Sequence, residues 1–486
     1  MVAGALRTDE AGEVELHRAG RLGPSPVDRR RPGSKLHILS DTNGLPLVVA
    51  RVMVAGVFVG FGRGDVCRVA VALGCETGGE EVMCVSESPH GSSDAGWVVD
   101  EGRLEELIVE ARTALPFELP ALAVRCASAL GLGTASLYLV DLQQRLLIPL
   151  DEVLDALPVD GSTAGWAYRT LSPRVAAADD GLVVWLPLVD GSERLGVLGV
   201  GVASLEEVSL RRGRMLADLL AMLITSKRAY SDWLAARSRT AAMQLPAEML
   251  RAFLPPHTVG SSKCVSTAVL EPAYDIAGDA FDHSVVKNVL HTMILDSMGH
   301  DLNAGLTTSV AMAAARNARR GGGDLADVVG SVDQALAQWL PDQFCTGVLC
   351  RLDAETGVLR WVNCGHPPPL LIRGERVLAG VLDSPPQPPI GLAGPLAPVA
   401  RQVHETVLEP GDCVLLYTDG VVEARDADGA EFGLARFTDF IIRSNAAGQR
   451  PAEVLRLLIH AVLDYQRDQL RDDVTILLFE WRPQFR

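Results

Sequence analysis

A chain of 486 residues with 48% hydrophobic content has enough apolar side chains to pack the cores of roughly two to four domains. Its formal net charge of −17 leaves no basic surplus to neutralise a phosphate backbone, which argues against nucleic-acid binding as a main role. The nine cysteines include no Cys-x-x-Cys pair, which argues against structural zinc or a disulfide framework and for a reducing cytoplasm.

Residues 1–20 are polar and acidic, so no secretory leader is expected. The apolar run 45–62 is interrupted by Arg51 and falls short of the roughly 20 residues a spanning helix needs, so no membrane association is expected. Residues 23–50, GPSPVDRRRPGSKLHILSDTNGLPLVVA, resemble an internal piece of DDE-class insertion-sequence transposases without that family's acidic triad. Residues 51–82 show no clean helical or strand periodicity. Residues 1–100 are therefore read as an extension carrying a fused gene fragment, or as lying upstream of a later start such as Met83; a genuine β-rich segment is the alternative.

Between residues 102 and 226 the pattern becomes that of an α/β module. Residues 104–115 and 118–131 have apolar positions at helical spacing, the second ending at Gly131. Residues 135–142, 183–189 and 194–202 read as strands, with Asp-Gly-Ser at 190–192 as a hairpin turn. Residues 162–175 read as a helix with a proline-marked exit. This order resembles a GAF domain and implies a sensor for a small ligand whose identity the sequence does not give. Trp166, Tyr168 and Trp185 line a pocket in one reading and belong to the core in the favoured one.

A helical linker is expected over 204–256. Residues 204–243 read as one long helix with an apolar face of Leu216, Leu219, Leu220, Leu223 and Ile224, followed by a short helix from Pro246. Such a helix either pairs with its twin in a homodimer and relays a signal, or packs on the module beside it.

The C-terminal half holds four acidic motifs, AGDAFD (277–282), LDSMGHD (295–301), YTDGVVEA (417–424) and RDDVT (471–475). Each sets an aspartate at or just after an apolar, β-prone run. Carboxylates with water and carbonyl oxygen suit Mg²⁺ or Mn²⁺, whereas zinc or copper calls for Cys or His. Two such ions about 3.5–4 Å apart can share a hydroxide nucleophile and clamp a phosphoryl group for in-line displacement.

These motifs, with NCGHPPPLL (363–371), LEPGDCVLLYTDGVVEAR (408–425), FGLARF (432–437) and RDDVTILL (471–478) in this order, resemble the PPM-type (protein phosphatase 2C superfamily) serine/threonine phosphatases, nearest their stage II sporulation protein E-like bacterial branch. The resemblance implies an αββα sandwich of two antiparallel sheets over residues 257–483. It implies metal ligands at Asp279, Asp296, Asp419 and Asp472 with the Ser297 carbonyl, and two Mn²⁺ or Mg²⁺ ions. It further implies a phosphoprotein substrate of the anti-anti-sigma class. Asp473 is adjacent to the last ligand but out of the family's register, and Asp282 and Glu423 are read as structural. His300 is a candidate general acid, with a structural role at least as well supported; His366 is read as fixing a turn.

Two positions depart from the family pattern. Ala277 and Asp301 stand where it has glycine, and a left-handed backbone at either would strain the loops beside the ligands. An active enzyme is expected. A pseudophosphatase scaffold that binds a phosphoprotein, and a phosphatase silent until the sensor is occupied, are the alternatives.

Overall fold

The computed structural model describes residues 109–483 apart from 179–180, 276–277, 300, 386, 393–399, 468–469 and 471; before residue 109 it describes six short strands. The chain divides into two compact units, Met1–Gly96 and Trp97–Arg486. In the first, strands β1 (Gly4–Thr8) and β2 (Val14–Arg18), β3 (Ile38–Ser40) and β4 (Pro46–Val48), and β5 (Phe58–Gly60) and β6 (Arg68–Ala70) pair as antiparallel ribbons. The last two fall in the stretch where no strand pattern was expected. Their three-residue length is too short for an alternating signature.

The second unit opens with an antiparallel sheet of order β10-β11-β12-β7-β8-β9. Its strands are β7 (Ala135–Val140), β8 (Leu146–Pro149), β9 (Leu157–Pro158), β10 (Arg174–Ala178), β11 (Gly181–Asp190) and β12 (Glu193–Val202). Helices α1 (Leu119–Ala129) and α3 (Glu207–Arg228) share a buried cluster with Leu137, Val184, Leu186 and Leu198 of the sheet. Helix α2 (Thr163–Thr170) contributes to a second cluster with Tyr138, Leu147 and Val197. The expected helix over 162–175 stops at Thr170, because Leu171 turns left-handed (φ 53°) and the chain re-enters the sheet as β10.

The long linker helix is likewise broken. Helix α3 ends at Arg228, and Ser231 caps a new helix, α4 (Asp232–Arg237), by accepting the Leu234 N–H. The face that α3 buries is Gly213, Leu216, Ala217, Leu220, Ala221 and Ile224, and it packs on β11 and β12. That face serves the module's own core. Trp185 meets Tyr138 edge-on at 5.7 Å, and Tyr168 is buried, while Trp166 lies half-buried under the Arg174 guanidinium.

After α5 (Leu245–Arg251) come two further antiparallel sheets. One has the order β13-β14-β23-β22-β19-β20, from β13 (Thr258–Gly260), β14 (Cys264–Glu271), β19 (Leu370–Arg373), β20 (Arg376–Val377), β22 (Cys413–Tyr417) and β23 (Val474–Trp481). The other runs β15-β16-β17-β18-β21, from β15 (Asp279–Val286), β16 (Val289–Ser297), β17 (Cys345–Asp353), β18 (Val358–Cys364) and β21 (His404–Val407).

Strict alternation sorts the first sheet's side chains. Ala268, Leu270, Val414, Leu416, Leu477 and Phe479 join the core shared with the second sheet. Val269, Leu415, Tyr417, Ile476 and Leu478 face the opposite way. Helices α9 (Leu434–Ala446) and α10 (Pro451–Tyr465) cover that outer face through Phe437, Ile441, Val454 and Leu458. Helices α6 (Leu302–Arg320) and α7 (Leu325–Trp339) cover the second sheet. The layers are thus helix, sheet, sheet, helix, as expected for this half of the chain.

Candidate metal centre

Asp279 opens β15 and Asp296 is the penultimate residue of β16, and the antiparallel register pairs them directly. Paired residues project from the same face with Cβ atoms about 5 Å apart, so this hairpin alone sets two carboxylates side by side. The other sheet supplies the rest. Its strand β22 ends at Tyr417, Thr418 precedes the short helix α8 (Asp419–Val422) with Asp419 as its first residue, and Asp472 lies just before β23.

Two hydroxyls anchor Asp279. Thr418 Oγ1 and Thr475 Oγ1 both donate to its Oδ2, at 2.8 and 2.7 Å, and Thr475 N–H donates to Thr418 Oγ1 at 2.9 Å. These bonds join β15 to the ends of β22 and β23, so one carboxylate fastens the two sheets at the site. Sequence reading missed both threonines. Their signal was their place flanking the acids in Thr-Asp-Gly and Asp-Asp-Val-Thr.

The adjacent pair Asp472 and Asp473 divides its work. Asp473 is buried, and its Oδ2 accepts the N–H groups of Gly278 and Asp279 at 2.8 and 3.2 Å. Asp472 is exposed toward the site. Gly420 belongs to the same joint, because a Cβ there would stand 2.1 Å from the Asp473 carbonyl oxygen.

The electrostatics are those of a crowded acidic cluster. Burial pushes the Asp296 carboxyl up to about 7, helped by the charges of Asp419, Asp472 and Asp473. Asp279 is raised by burial and then by Asp296 and Asp473, with its two hydroxyl donors opposing. Asp472 is also raised, by burial first. Acids crowded together in this way fit a bound divalent cation. Among the described residues no three Asp, Glu, His or Cys side chains form a set able to hold one ion alone.

The remaining predicted residues sort as follows. Ser297 closes β16 beside Asp296, its hydroxyl donating to the Gly278 and Ala304 carbonyls at 3.2 and 3.0 Å. Asp282 is buried and ion-paired to Arg316 and Arg319 of α6, at 2.6 and 2.8 Å. Glu423 is exposed at the end of α8. His366 is buried and neutral, its pKa lowered by burial to about 4. Its Nε2 hydrogen-bonds the Tyr417 carbonyl at 3.0 Å and its Nδ1 the Thr346 hydroxyl at 2.8 Å, which fixes the strand end before Asp419.

His300 and Ala277 lie outside the described residues. The feared strain at Asp301 is absent: its backbone is extended (φ −103°, ψ −175°), and its carboxylate caps α6 by accepting the Asn303 and Ala304 N–H groups. The left-handed position in this turn belongs to Gly299, at φ 84°.

Residues 287–482 match the family model of Stage II sporulation protein E (SpoIIE). Similar solved structures include the RsbU and RsbW domains of Rv1364c from Mycobacterium tuberculosis, 23% identical, covering 47% of this chain and 63% of that one, with a TM-score of 0.39. The SiaA-PP2C domain of Pseudomonas aeruginosa is 23% identical over 48% of this chain and 94% of that one, at 0.41. The PP2C phosphatase domain with a regulatory fragment of SpoIIE from Bacillus subtilis is 18% identical over 46% and 66%, at 0.38. A transposase for insertion sequence element IS402 from Burkholderia cepacia is 56% identical over 36 residues, 7% of this chain and 17% of that protein. The chain thus spans about a sixth of that transposase and just under two thirds of the Mycobacterium structure.

Proposed function

We propose that this chain, whose residues 287–482 form a SpoIIE-type phosphatase domain, is a metal-dependent protein serine/threonine phosphatase. The observation that carries the reading is the direct pairing of Asp279 with Asp296 inside a cluster of acids whose charges raise one another. Asp279, Asp296, Asp419 and Asp472, with the Ser297 carbonyl, would hold two Mg²⁺ or Mn²⁺ ions. When bound, such ions supply Lewis acidity at the phosphoryl oxygens and lower the pKa of attacking water. The protein's own part is positioning. Thr418 and Thr475 orient the Asp279 carboxylate, Asp473 holds its backbone, and His366 fixes the strand end before Asp419.

The substrate class we propose, phosphoserine or phosphothreonine on an anti-anti-sigma-type regulator, rests on the motif resemblance. The sensor role of the N-terminal α/β module rests on its GAF-like order of elements. Free, buried cysteines, Cys126, Cys264, Cys345, Cys350, Cys364 and Cys413, support a reducing, cytoplasmic setting. Among the described residues no helix is long and apolar enough to cross a membrane.

The test is phosphate release from a phosphopeptide with Mn²⁺, comparing the full chain with Asp279→Ala and Asp419→Ala. Release by the wild type that falls at least about a thousandfold in both variants supports the reading. Wild type and variants equally inert would overturn it.

A further inference from the structure

We propose that the tip of the β7–β8 hairpin, Asp141 to Arg145, is a coupling element through which the N-terminal α/β module sets the position of the acids at the candidate metal centre. The proposal rests on the phosphatase reading above but is tested separately from it.

The tip joins two parts of the chain far apart in sequence. Gln143 Nε2 donates to Glu271 Oε2 at 3.2 Å, and the Gln143 carbonyl is hydrogen-bonded to His460 Nε2 at 2.8 Å. Gln144 adopts a left-handed backbone (φ 55°), a conformation disfavoured for a non-glycine residue. Its amide oxygen accepts Tyr168 Oη at 3.0 Å and Arg194 Nη2 at 2.9 Å. Arg194 Nη1 then donates to Glu453 of α10 at 3.0 Å. Arg456, fully buried on the same helix, forks between Glu453 and Asp160 of the module at 2.8 Å each.

From Glu271 the route to the site is short. Glu271 ends β14 and is paired in register with Val474 of β23. Val474 follows Asp473, whose carboxylate holds the Asp279 N–H. Glu271 Oε2 also accepts the Ala273 N–H at 2.7 Å, on the segment leading to Asp279. Helix α10, gripped by Arg194 and Asp160, packs on both β14 and β23. A shift of the hairpin tip therefore pulls on the two strands whose ends carry Asp473 and lead to Asp279.

Two features distinguish this joint from inert glue. Burying two guanidinium groups with carboxylates is a poor way to gain stability, since apolar packing of equal volume serves as well or better. The tip also borders a cavity of about 520 Å³, lined among others by Glu193, Arg194, Arg251 and His257, which leaves it room to rearrange.

The experiment uses the full chain with Gln143→Ala, Asp160→Asn and, as a control in the same module, Asp151→Asn. Hydrogen exchange is followed on peptides spanning 135–149, 268–275 and 472–478, together with Mn²⁺-dependent thermal shift. Asp160 is largely exposed, so its variant keeps the fold. The expected result is exchange about fivefold faster in 268–275 and 472–478, with half-saturating Mn²⁺ about threefold higher, for Gln143→Ala and Asp160→Asn but not for Asp151→Asn. Exchange changes confined to 135–149, with an unmoved Mn²⁺ midpoint, would overturn the coupling while phosphate release stands. Propagated exchange in Gln143→Ala and Asp160→Asn, when the wild type releases no phosphate, would support the coupling and sink the phosphatase reading alone.

Discussion

The carboxylate of Asp473 accepts the backbone N–H of Asp279 at 3.2 Å and that of Gly278 at 2.8 Å, although 194 residues separate the first pair. Neighbouring aspartates of similar sequence context thus have opposite duties. Asp473 shapes the loop that presents Asp279, and Asp472 presents its own carboxylate. Asp472→Ala should abolish Mn²⁺-dependent phosphate release with little change in metal-free melting. Asp473→Ala should leave two N–H groups without their acceptor and cost about 2–4 kcal/mol of stability. Urea melts of both variants check this; equal destabilisation would reject the division of labour.

Thr475 makes a narrower prediction. Its hydroxyl is one of two that donate to Asp279 Oδ2, and a hydrogen bond to a charged acceptor is worth about 1.5–3 kcal/mol. Thr475→Val keeps the shape and removes the donor, so the carboxylate loses both orientation and support for its charged form. Mn²⁺ affinity by calorimetry should fall roughly tenfold, in line with about 1.4 kcal/mol. Affinity within twofold of wild type would show that Thr418 alone suffices.

Asp282 tests the boundary of the site. It belongs to the same motif as Asp279 but is buried and turns to the half-buried Arg316 and Arg319. Removing one member of a buried ion pair leaves charge uncompensated and costs about 3–5 kcal/mol. Asp282→Ala should therefore lower the urea midpoint strongly, while the folded fraction keeps the wild-type Mn²⁺ affinity. A change in affinity with stability intact would make Asp282 part of the metal centre.

How much of this was readable beforehand follows from the range of each interaction. The apolar runs before Thr418 and after Asp473 announce strands because alternation and burial are local properties, and β22 and β23 form there. The acids at their ends announce a hard-cation site by residue type alone. The pairing of Asp279 with Asp296 depends on hairpin register, and the hydroxyls of Thr418 and Thr475 meet Asp279 only once two sheets are stacked. The broken linker shows the opposite failure. One long helix was expected over 204–243, but Ser231 accepts the Leu234 N–H and starts a new helix, a local capping choice that apolar spacing does not reveal. Arg456 looks like any solvent-facing helix arginine until the module supplies Asp160.

His283 gives the pH prediction. It is buried between Ser266 Oγ, 3.0 Å from Nδ1, and the Pro256 carbonyl, 2.7 Å from Nε2, and burial lowers its pKa to about 4 from 6.5. Asp282 opposes that shift, whereas His257 and Arg316 reinforce it. Because the unfolded chain binds this proton more readily than the folded one, the stability due to neutral His283 is fully present above pH 6.5. It is lost progressively as pH falls toward 4. The shift corresponds to roughly 3 kcal/mol over that window. His283→Gln keeps a side chain that can donate and accept but has no proton to gain. Its metal-free urea stability should therefore fall less than the wild type's between pH 7 and 5, by about 1–2 kcal/mol. His257, His291 and His366, also lowered by burial to about 4, and His460, lowered by burial, contribute to the residual slope in the variant. The raised carboxyl of Asp296 works in the opposite sense, destabilising the metal-free protein as pH rises toward 7. The comparison therefore belongs between variant and wild type at each pH, and parallel curves would show that His283 does not control the acid limb.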